Sequence, residues 1–514
     1  MKLKILISLP IILAILILLR VEPRGAVKSS PEMVTFNNQV VRLLQQKCQA
    51  CHHPDDIAPF SLVTYNEARL FAEAMQEATE SREMPPWKAA ESCGEFDGNR
   101  RLTDEEISIL SRWVEAGKPE GNPADLPPPL QFTDDWPLGR PDVVLEPEGR
   151  FAVNLGDDIY RCFSLPTDFG GDRFLSAIDL KPGARSIVHH AIIHLDEKGE
   201  SQSLDDADPQ PGFDCPDDAE FTKKGAIAWW TPGGSSRFEE NGTAWRLPRG
   251  ARLVLKIHYH VHHGLGGKDH TQLGLYFARQ PVKKELRVLP IINPRFAIPP
   301  DDPNFQLTAS YPPLPPGLDA HALGVAPHMQ RLGRRMEVQA AYSNGVTRCL
   351  IEVEDWDAHW QGLYSFKEPV AIPAGTQLRL TAFYNNSRSN PDNPDFPLRF
   401  VPSGEQTDDE TCIAFVKYTV DAENRSLSSP EVSTAFVDED GRLVVKGAGF
   451  SPGADILIDG ERVQDTLNHK KKKKAEKQLL SSVDWKRLVA PGKQVSVSVL
   501  NTDGVRSAAI AFGR

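Results

Sequence analysis

The segment Cys48-Gln49-Ala50-Cys51-His52 constrains this chain more than any other. Two thiols three positions apart, followed directly by a histidine, form the attachment signature of a c-type haem. The thiols take up the two vinyl groups of the porphyrin, and His52 becomes the proximal iron ligand. Such a chain must fold a small local shell around a planar cofactor. Two other uses of C-x-x-C fit less well. A zinc site needs a second ligand pair nearby, and neither Cys93 nor His53 makes one. A thioredoxin-like pair follows a strand at the start of a helix, whereas Val40–Lys47 reads as a helix running into Cys48.

An electron-transfer haem carries a second axial ligand, commonly methionine or histidine. Met84, in Arg82-Glu83-Met84-Pro85-Pro86-Trp87, follows His52 by enough chain to wrap round the ring, and its two prolines hold the strip extended. His53 is the rival ligand, and a core methionine is the bland reading of Met84. Beyond it, Thr103 with Glu106 three residues on marks a helix start. Ile107, Leu110, Trp113 and Val114 then share one face of that helix. Residues 34–120 are therefore expected to form a small all-α cytochrome c domain.

At 514 residues the chain exceeds one hydrophobic core, so several domains are expected. Its net charge of -12 argues against nucleic acid as a partner. With 42 prolines and 37 glycines and few long helical periods after residue 120, the rest reads as β. Lys2 and Lys4 precede an apolar run from Ile5 to Leu19, closed by Arg20. This is an export signal or a short membrane anchor within residues 1–30, and the lack of a clear cleavage site favours the anchor. The expected location is extracytoplasmic, in the periplasm or cell envelope. In that oxidising setting, the cysteines beyond the haem pair are candidates for disulfides. Pairing within proposed domains joins Cys162 to Cys215 and Cys349 to Cys412 and leaves Cys93 free, although sequence alone does not fix connectivity.

Residues 121–145, rich in proline and acidic side chains, read as an extended linker. Short strands with Pro/Gly punctuation fill 146–290, and Leu253–His260 is the clearest of them. A second β block spans 291–422, with strands at Met336–Tyr342, Cys349–Val353, Gln377–Tyr384 and Ile413–Val420. A small β unit occupies 428–514, and the lysine run 470–474 within it reads as a solvated loop.

The histidines carry the remaining chemistry. His189 and His190 are adjacent, and His258 ends an apolar strand. Three imidazoles suit copper, zinc or iron. Neighbouring residues on a strand point to opposite faces, so His189 and His190 can share one ion only at a bend or strand end. Their surroundings are distinctive: Gly183-Ala184-Arg185-Ser186-Ile187-Val188-His189-His190-Ala191, then Trp229-Trp230-Thr231-Pro232-Gly233-Gly234, then Leu247-Pro248-Arg249-Gly250 leading to Ile257-His258-Tyr259-His260. Pro327-His328-Met329, Leu332-Gly333-Arg334, Tyr384-Asn385-Asn386-Ser387, Asn390-Pro391-Asp392-Asn393-Pro394 and Gly404–Glu410 follow in order. Over roughly 140–420 this set resembles the copper type II, ascorbate-dependent monooxygenases, whose best known members are peptidylglycine and dopamine β-monooxygenase. Bacterial relatives often carry a cytochrome c domain in front.

The resemblance implies two jelly-roll-like β domains, each with one copper. His189, His190 and His258 match the ligands of the electron-storing copper. At the oxygen-activating copper, His328 matches the first residue of the family's His-x-His pair. Gln330 stands at the second position and Thr411 at the methionine position, both poor copper donors. His321, His260, His262 and His359 are the other histidines to consider there, with no spacing argument for any of them. Ala326 lies near the place of the arginine found in peptide-amidating members, which argues against peptide amidation. The last unit resembles an immunoglobulin-like IPT/TIG domain, a β-sandwich, on Gly441–Phe450 and Val497–Gly504.

The expectation is an exported haem–copper oxidoreductase. Haem c would receive electrons from a donor and pass them to the three-histidine copper, for O2-dependent hydroxylation of a small-molecule or peptide-like substrate. The alternative is a degenerate homologue that transfers electrons or binds copper without oxygenating anything. A third reading is a non-catalytic binding protein of the envelope.

Overall fold

The computed structural model describes residues 33–513, apart from 55, 133–134, 155, 157, 217–218, 235, 262–265, 405–407, 424–428, 469–476 and 482–483. The N-terminal segment, the lysine run and His262 therefore lie outside the described residues. Strands account for 39% of the chain and helices for 13%, in line with the β body expected from proline and glycine content.

The helices that precede the β body are Val41–Lys47, Tyr65–Leu70, Ala72–Glu80 and Asp104–Glu115. The last is capped as its sequence predicts. Thr103 accepts the Glu106 N–H while Glu106 reaches back to the Thr103 N–H. Leu44, Leu110 and Trp113 pack in the core of this helical region with Phe36, Val40 and Leu62. Within the expected linker, Pro123–Asp125 forms a single helical turn. Val143–Leu145 pairs antiparallel with Gln272–Phe277 as a sheet edge.

Two β regions follow, each built from two facing, mostly antiparallel sheets. In the first, Asp158–Pro166, Arg252–His260, Val188–Asp196 and Ala226–Trp230 lie in that order, opposite a five-stranded sheet. In the second, Arg287–Ile292, Ile413–Val420, Ala320–His328 and Tyr364–Ile372 lie opposite Asp302–Ser310, Gln377–Asn386, Gly333–Ala341 and Thr347–Val353. Period-two alternation explains the core: Leu378, Leu380, Ala382 and Tyr384 are buried while their neighbours are more open. The strand Arg252–His260 differs, being buried on both faces. Leu253, Leu255, Ile257 and Tyr259 enter the core of the first region, so Lys256 and His258 occupy the opposite face. A third pair of four-stranded sheets closes the chain around Phe450, Ile456, Trp485 and Val497.

The cysteines require one correction. Cys162 pairs with Cys215 as expected, but Cys93 pairs with Cys349, and Cys412 is a free buried thiol. The cause is the path of residues 86–97, which leave the helices and join the second β region. The Ala90 N–H donates to Glu352 O at 2.7 Å, the Asp97 N–H to Ser365 O at 2.9 Å, and Ala89 and Phe96 bridge to Val353 and Phe366. Cys93 is thereby carried to the strand that holds Cys349, a contact between sequence regions assigned to different domains. Among the described residues no helix is long and apolar enough to cross a membrane, and two disulfides are consistent with an extracytoplasmic location.

Candidate metal centre

The three histidines expected as ligands converge. The ligand atoms of His189, His190 and His258 all lie within 4.8 Å of one another. His190 and His258 face each other across the pairing of Val188–Asp196 with Arg252–His260. The register shifts between Val188 and His190, so His189 sits in an irregularity of the ladder. That shift removes the strict alternation that would send adjacent side chains to opposite faces. The Nδ1 atoms of His189 and His190 are 3.1 Å apart. Tyr160 stacks on His258 with ring centroids 4.5 Å apart, closing one side.

Electrostatics keep these rings neutral. Burial, then the neighbouring imidazoles, holds His189 and His190 well below the ordinary histidine range. The same causes, burial first, lower His258 to about 3. Neutral imidazole is the form that ligates metals. His190 is 1% exposed and its Nε2 has no hydrogen-bond partner. A buried nitrogen left in that state is costly unless something binds it. The donor set therefore fits a transition-metal ion, copper among them.

The haem motif also fits its group. Cys48 follows the helix Val41–Lys47 directly, and Cys48 and Cys51 are not joined to each other. Burial pushes Cys48 up to about 12 and Cys51 up to about 11, so neither is the activated thiolate of a redox pair. His52 Nδ1 lies 3.1 Å from Phe60 O, so that Nδ1–H donates and Nε2 is left for a ligand role. Met84 is 40% exposed and lines a cavity with Leu102, Ile107 and Arg101 whose lining does not include Cys48, Cys51 or His52. His53 lies against Phe132 and within 3.7 Å of Asp56.

Arg100 and Cys51 both lie against the first β region. Arg100 donates to Pro232 O at 3.4 Å and to Gly233 O at 2.6 Å. Gly233 has φ +65°, and a Cβ there would stand 2.7 Å from Cys51 Sγ. Glycine is required for both reasons, the left-handed backbone and the close approach. The Trp229–Gly234 stretch thus lies between Cys51 and the strand that carries His189 and His190, since Ala226–Trp230 pairs with Val188–Asp196.

No family model matches the chain, and no curated protein matches it. Among solved structures it is similar to PNGF-II, at 7% identity over 55% of this chain and 66% of that one, with a TM-score of 0.25. It is also similar to the major capsid protein P2 of bacteriophage PM2, at 10% identity over 55% of this chain and 98% of that one, TM-score 0.23. A third is peptide:N-glycanase F, at 10% identity over 56% and 97% of the two chains, TM-score 0.23. The chain thus spans just under two thirds of the length of PNGF-II. Overlaps this low carry no argument about fold or activity.

The counterpart positions in the second β region are arranged differently. His328, Gln330 and Thr411 are all buried. The lining of the cavity beside His328 includes His194, Lys256, Trp229, Gln361 and Phe415 but neither Gln330 nor Thr411. Glu410 organises those two instead. Its carboxylate accepts the N–H groups of Gln330 at 2.9 Å, Leu332 at 2.6 Å and Thr411 at 3.1 Å. Burial pushes Glu410 up to about 7 despite those donors. The Gln330 side-chain nitrogen is buried with no hydrogen-bond partner and, being an amide NH2, is no ligand. His321 pairs with Asp421 at 2.7 Å, on the rim of a separate cavity.

Sequence reasoning considered His359 only for the second copper and did not place it beside the three-histidine cluster. Its ring centroid is 5.7 Å from that of His189 and 5.4 Å from that of His260. His260 had a readable signal, because it lies two residues from His258 on the same face. His359 had none, because a loop of the second β region delivers it.

Proposed function

We propose that this chain is an exported haem–copper redox protein of the copper type II monooxygenase kind. The observation that carries the reading is the convergence of His189, His190 and His258 within 4.8 Å, on a sheet whose Trp229–Gly234 edge lies against Cys51. Haem c and copper, when bound, would each supply a one-electron centre. The residues do the rest. Cys48 and Cys51 anchor the porphyrin and His52, oriented by Phe60 O, ligates its iron. Met84 is proposed as the second axial ligand. His189, His190 and His258 hold the copper in a neutral, buried setting. Arg100 donates to Gly233 O beside Cys51 and also lies over the Trp360 ring at 5.7 Å, next to His359. A groove lined by Trp87, Trp229, Trp230, Trp245 and Trp360 offers an aromatic surface for a small-molecule or peptide-like substrate. The haem region and two jelly-roll-like domains would form the redox body, with the last β unit an immunoglobulin-like accessory. O2-dependent hydroxylation is the reaction the family resemblance suggests.

A second reading has its own support. Gln330 and Thr411 are tied to Glu410 and supply no soft donor. This favours electron transfer or copper binding without oxygenation. The haem-loaded, dithionite-reduced protein, freed of excess reductant, tests the shared core. Anaerobic addition of one equivalent of copper(II) is expected to bleach the reduced-haem absorption in the wild type and leave it in His258→Ala. Retention in both would overturn the haem–copper reading. In the same samples Met84→Ala is expected to change the reduced-haem spectrum, and an unchanged spectrum removes Met84 from the iron.

A further inference from the structure

Beside the three-histidine group, His260 and His359 form a pair that neither the motif resemblance nor the spacing assigns. We propose that they hold a second metal position with open coordination sites, shared between the two β regions. The inference rests on the reading of His189, His190 and His258 as a metal site. It supplies the second ion that Gln330 and Thr411 do not.

The ring separation has room for one ion between the pair. Metal–nitrogen bonds of about 2.0 Å place the centroids of two imidazoles on the same ion about 5 to 6 Å apart. The His260 and His359 centroids are 5.4 Å apart. His189 lies 6.1 Å from His260 and 5.7 Å from His359, and His258 lies 6.1 Å from His260. Among the described residues, five imidazoles thus gather from strands of the first region and a loop of the second. The tight group of donors includes only His189, His190 and His258. His260 and His359 are therefore neighbours of that ion and not further ligands to it.

His359 is held for the task. Its Nδ1 lies 3.2 Å from Asp357 Oδ1, and its backbone N–H donates to the same oxygen at 2.9 Å. A carboxylate that takes the Nδ1–H fixes the tautomer and the orientation of the ring. The loop is pinned on both sides of Asp357. The Trp356 indole N–H donates to Gln330 O at 3.1 Å, and the Gln361 side chain donates to Met329 O at 3.2 Å. His260 ends the same strand that carries His258, so one backbone positions a donor for each ion. Two protein donors leave room for water or a small exogenous ligand, the feature that separates reactive metal positions from closed structural ones.

Copper(II) titration of the haem-loaded, full-length protein tests this, with bound metal counted after gel filtration and by paramagnetic resonance. The wild type is expected to retain two coppers per chain, with a spin count below two because ions so close couple magnetically. His260→Ala and His359→Gln are each expected to retain one, with the signal of an isolated copper, and azide is expected to perturb only the wild type. Circular dichroism and thermal melts of the metal-free variants show whether each has folded, and the two substitutions lie in different β regions. One copper in the wild type, absent in His258→Ala, overturns this inference and leaves the haem–copper reading standing. Two coppers in both variants also overturn it. No copper in any protein overturns both.

Discussion

The two β regions place comparable residues near strand ends and use them in opposite ways. In the first, an irregular ladder brings His189, His190 and His258 together as neutral donors with no acid among them. In the second, a buried carboxylate, Glu410, gathers the backbone N–H groups of Gln330, Leu332 and Thr411. One cluster is a set of converging imidazole nitrogens; in the other, the backbone N–H groups already have Glu410 as their acceptor. Similar strand geometry thus does not guarantee a similar site, because the donor atoms decide what is bound.

The largest expected effect exploits the opposite titration of the two clusters. Burial holds His258 at about 3 against an ordinary 6.5. Between those values the unfolded chain takes up a proton that the folded chain refuses, so stability falls as pH drops through that window. Glu410 is raised to about 7 against an ordinary 4.5. Its contribution is present below about 4.5 and is lost as pH rises through 7. Each term is on the order of several kcal/mol at 1.36 kcal/mol per unit. Denaturant melts of the metal-free protein across pH 3–8 are expected to show His258→Gln flattening the acid limb and Glu410→Gln flattening the limb near neutrality. Identical profiles for both variants would erase the distinction between the clusters.

Removing Glu410 outright should come next in size. Glu410→Ala leaves three buried N–H groups without their acceptor, at about 1 to 3 kcal/mol each. A loss of about 3 kcal/mol or more in urea melts is expected, with copper uptake at the histidine cluster retained. If copper uptake disappears in a variant that still folds, the carboxylate is part of the metal centre.

Much of this contrast was readable before any coordinates. Cys48–His52 at a helix end, the Thr103 cap, the strands at 253–260 and 413–420, and the choice of His189, His190 and His258 all rest on local patterns. The weak donors at Gln330 and Thr411 were equally visible. What sequence could not give depends on distant chain meeting distant chain. The ladder irregularity at His189 depends on the partner strand, and His359 reaches the cluster from a loop roughly a hundred residues beyond His258. The Cys93–Cys349 disulfide spans 256 residues and required residues 86–97 to leave the helices. Pairing cysteines within proposed domains therefore misassigned Cys349 and Cys412.

The smallest effect is the sharpest test of separation. His328 is buried, faces a cavity that also includes His194 and Lys256, and is one of the charges that would oppose protonation of His190. It thus stands close enough to the cluster to be felt, yet is not one of the donors within 4.8 Å. If it is only a neighbour, His328→Ala should leave copper affinity at the histidine cluster within about threefold, under about 0.7 kcal/mol. Competition against a chelator of known affinity measures this directly. His258→Ala in the same assay is expected to lose about 100-fold or more, because a ligand goes and not a neighbour. A tenfold or greater loss in His328→Ala would make His328 a ligand, and the two β regions would then share one centre.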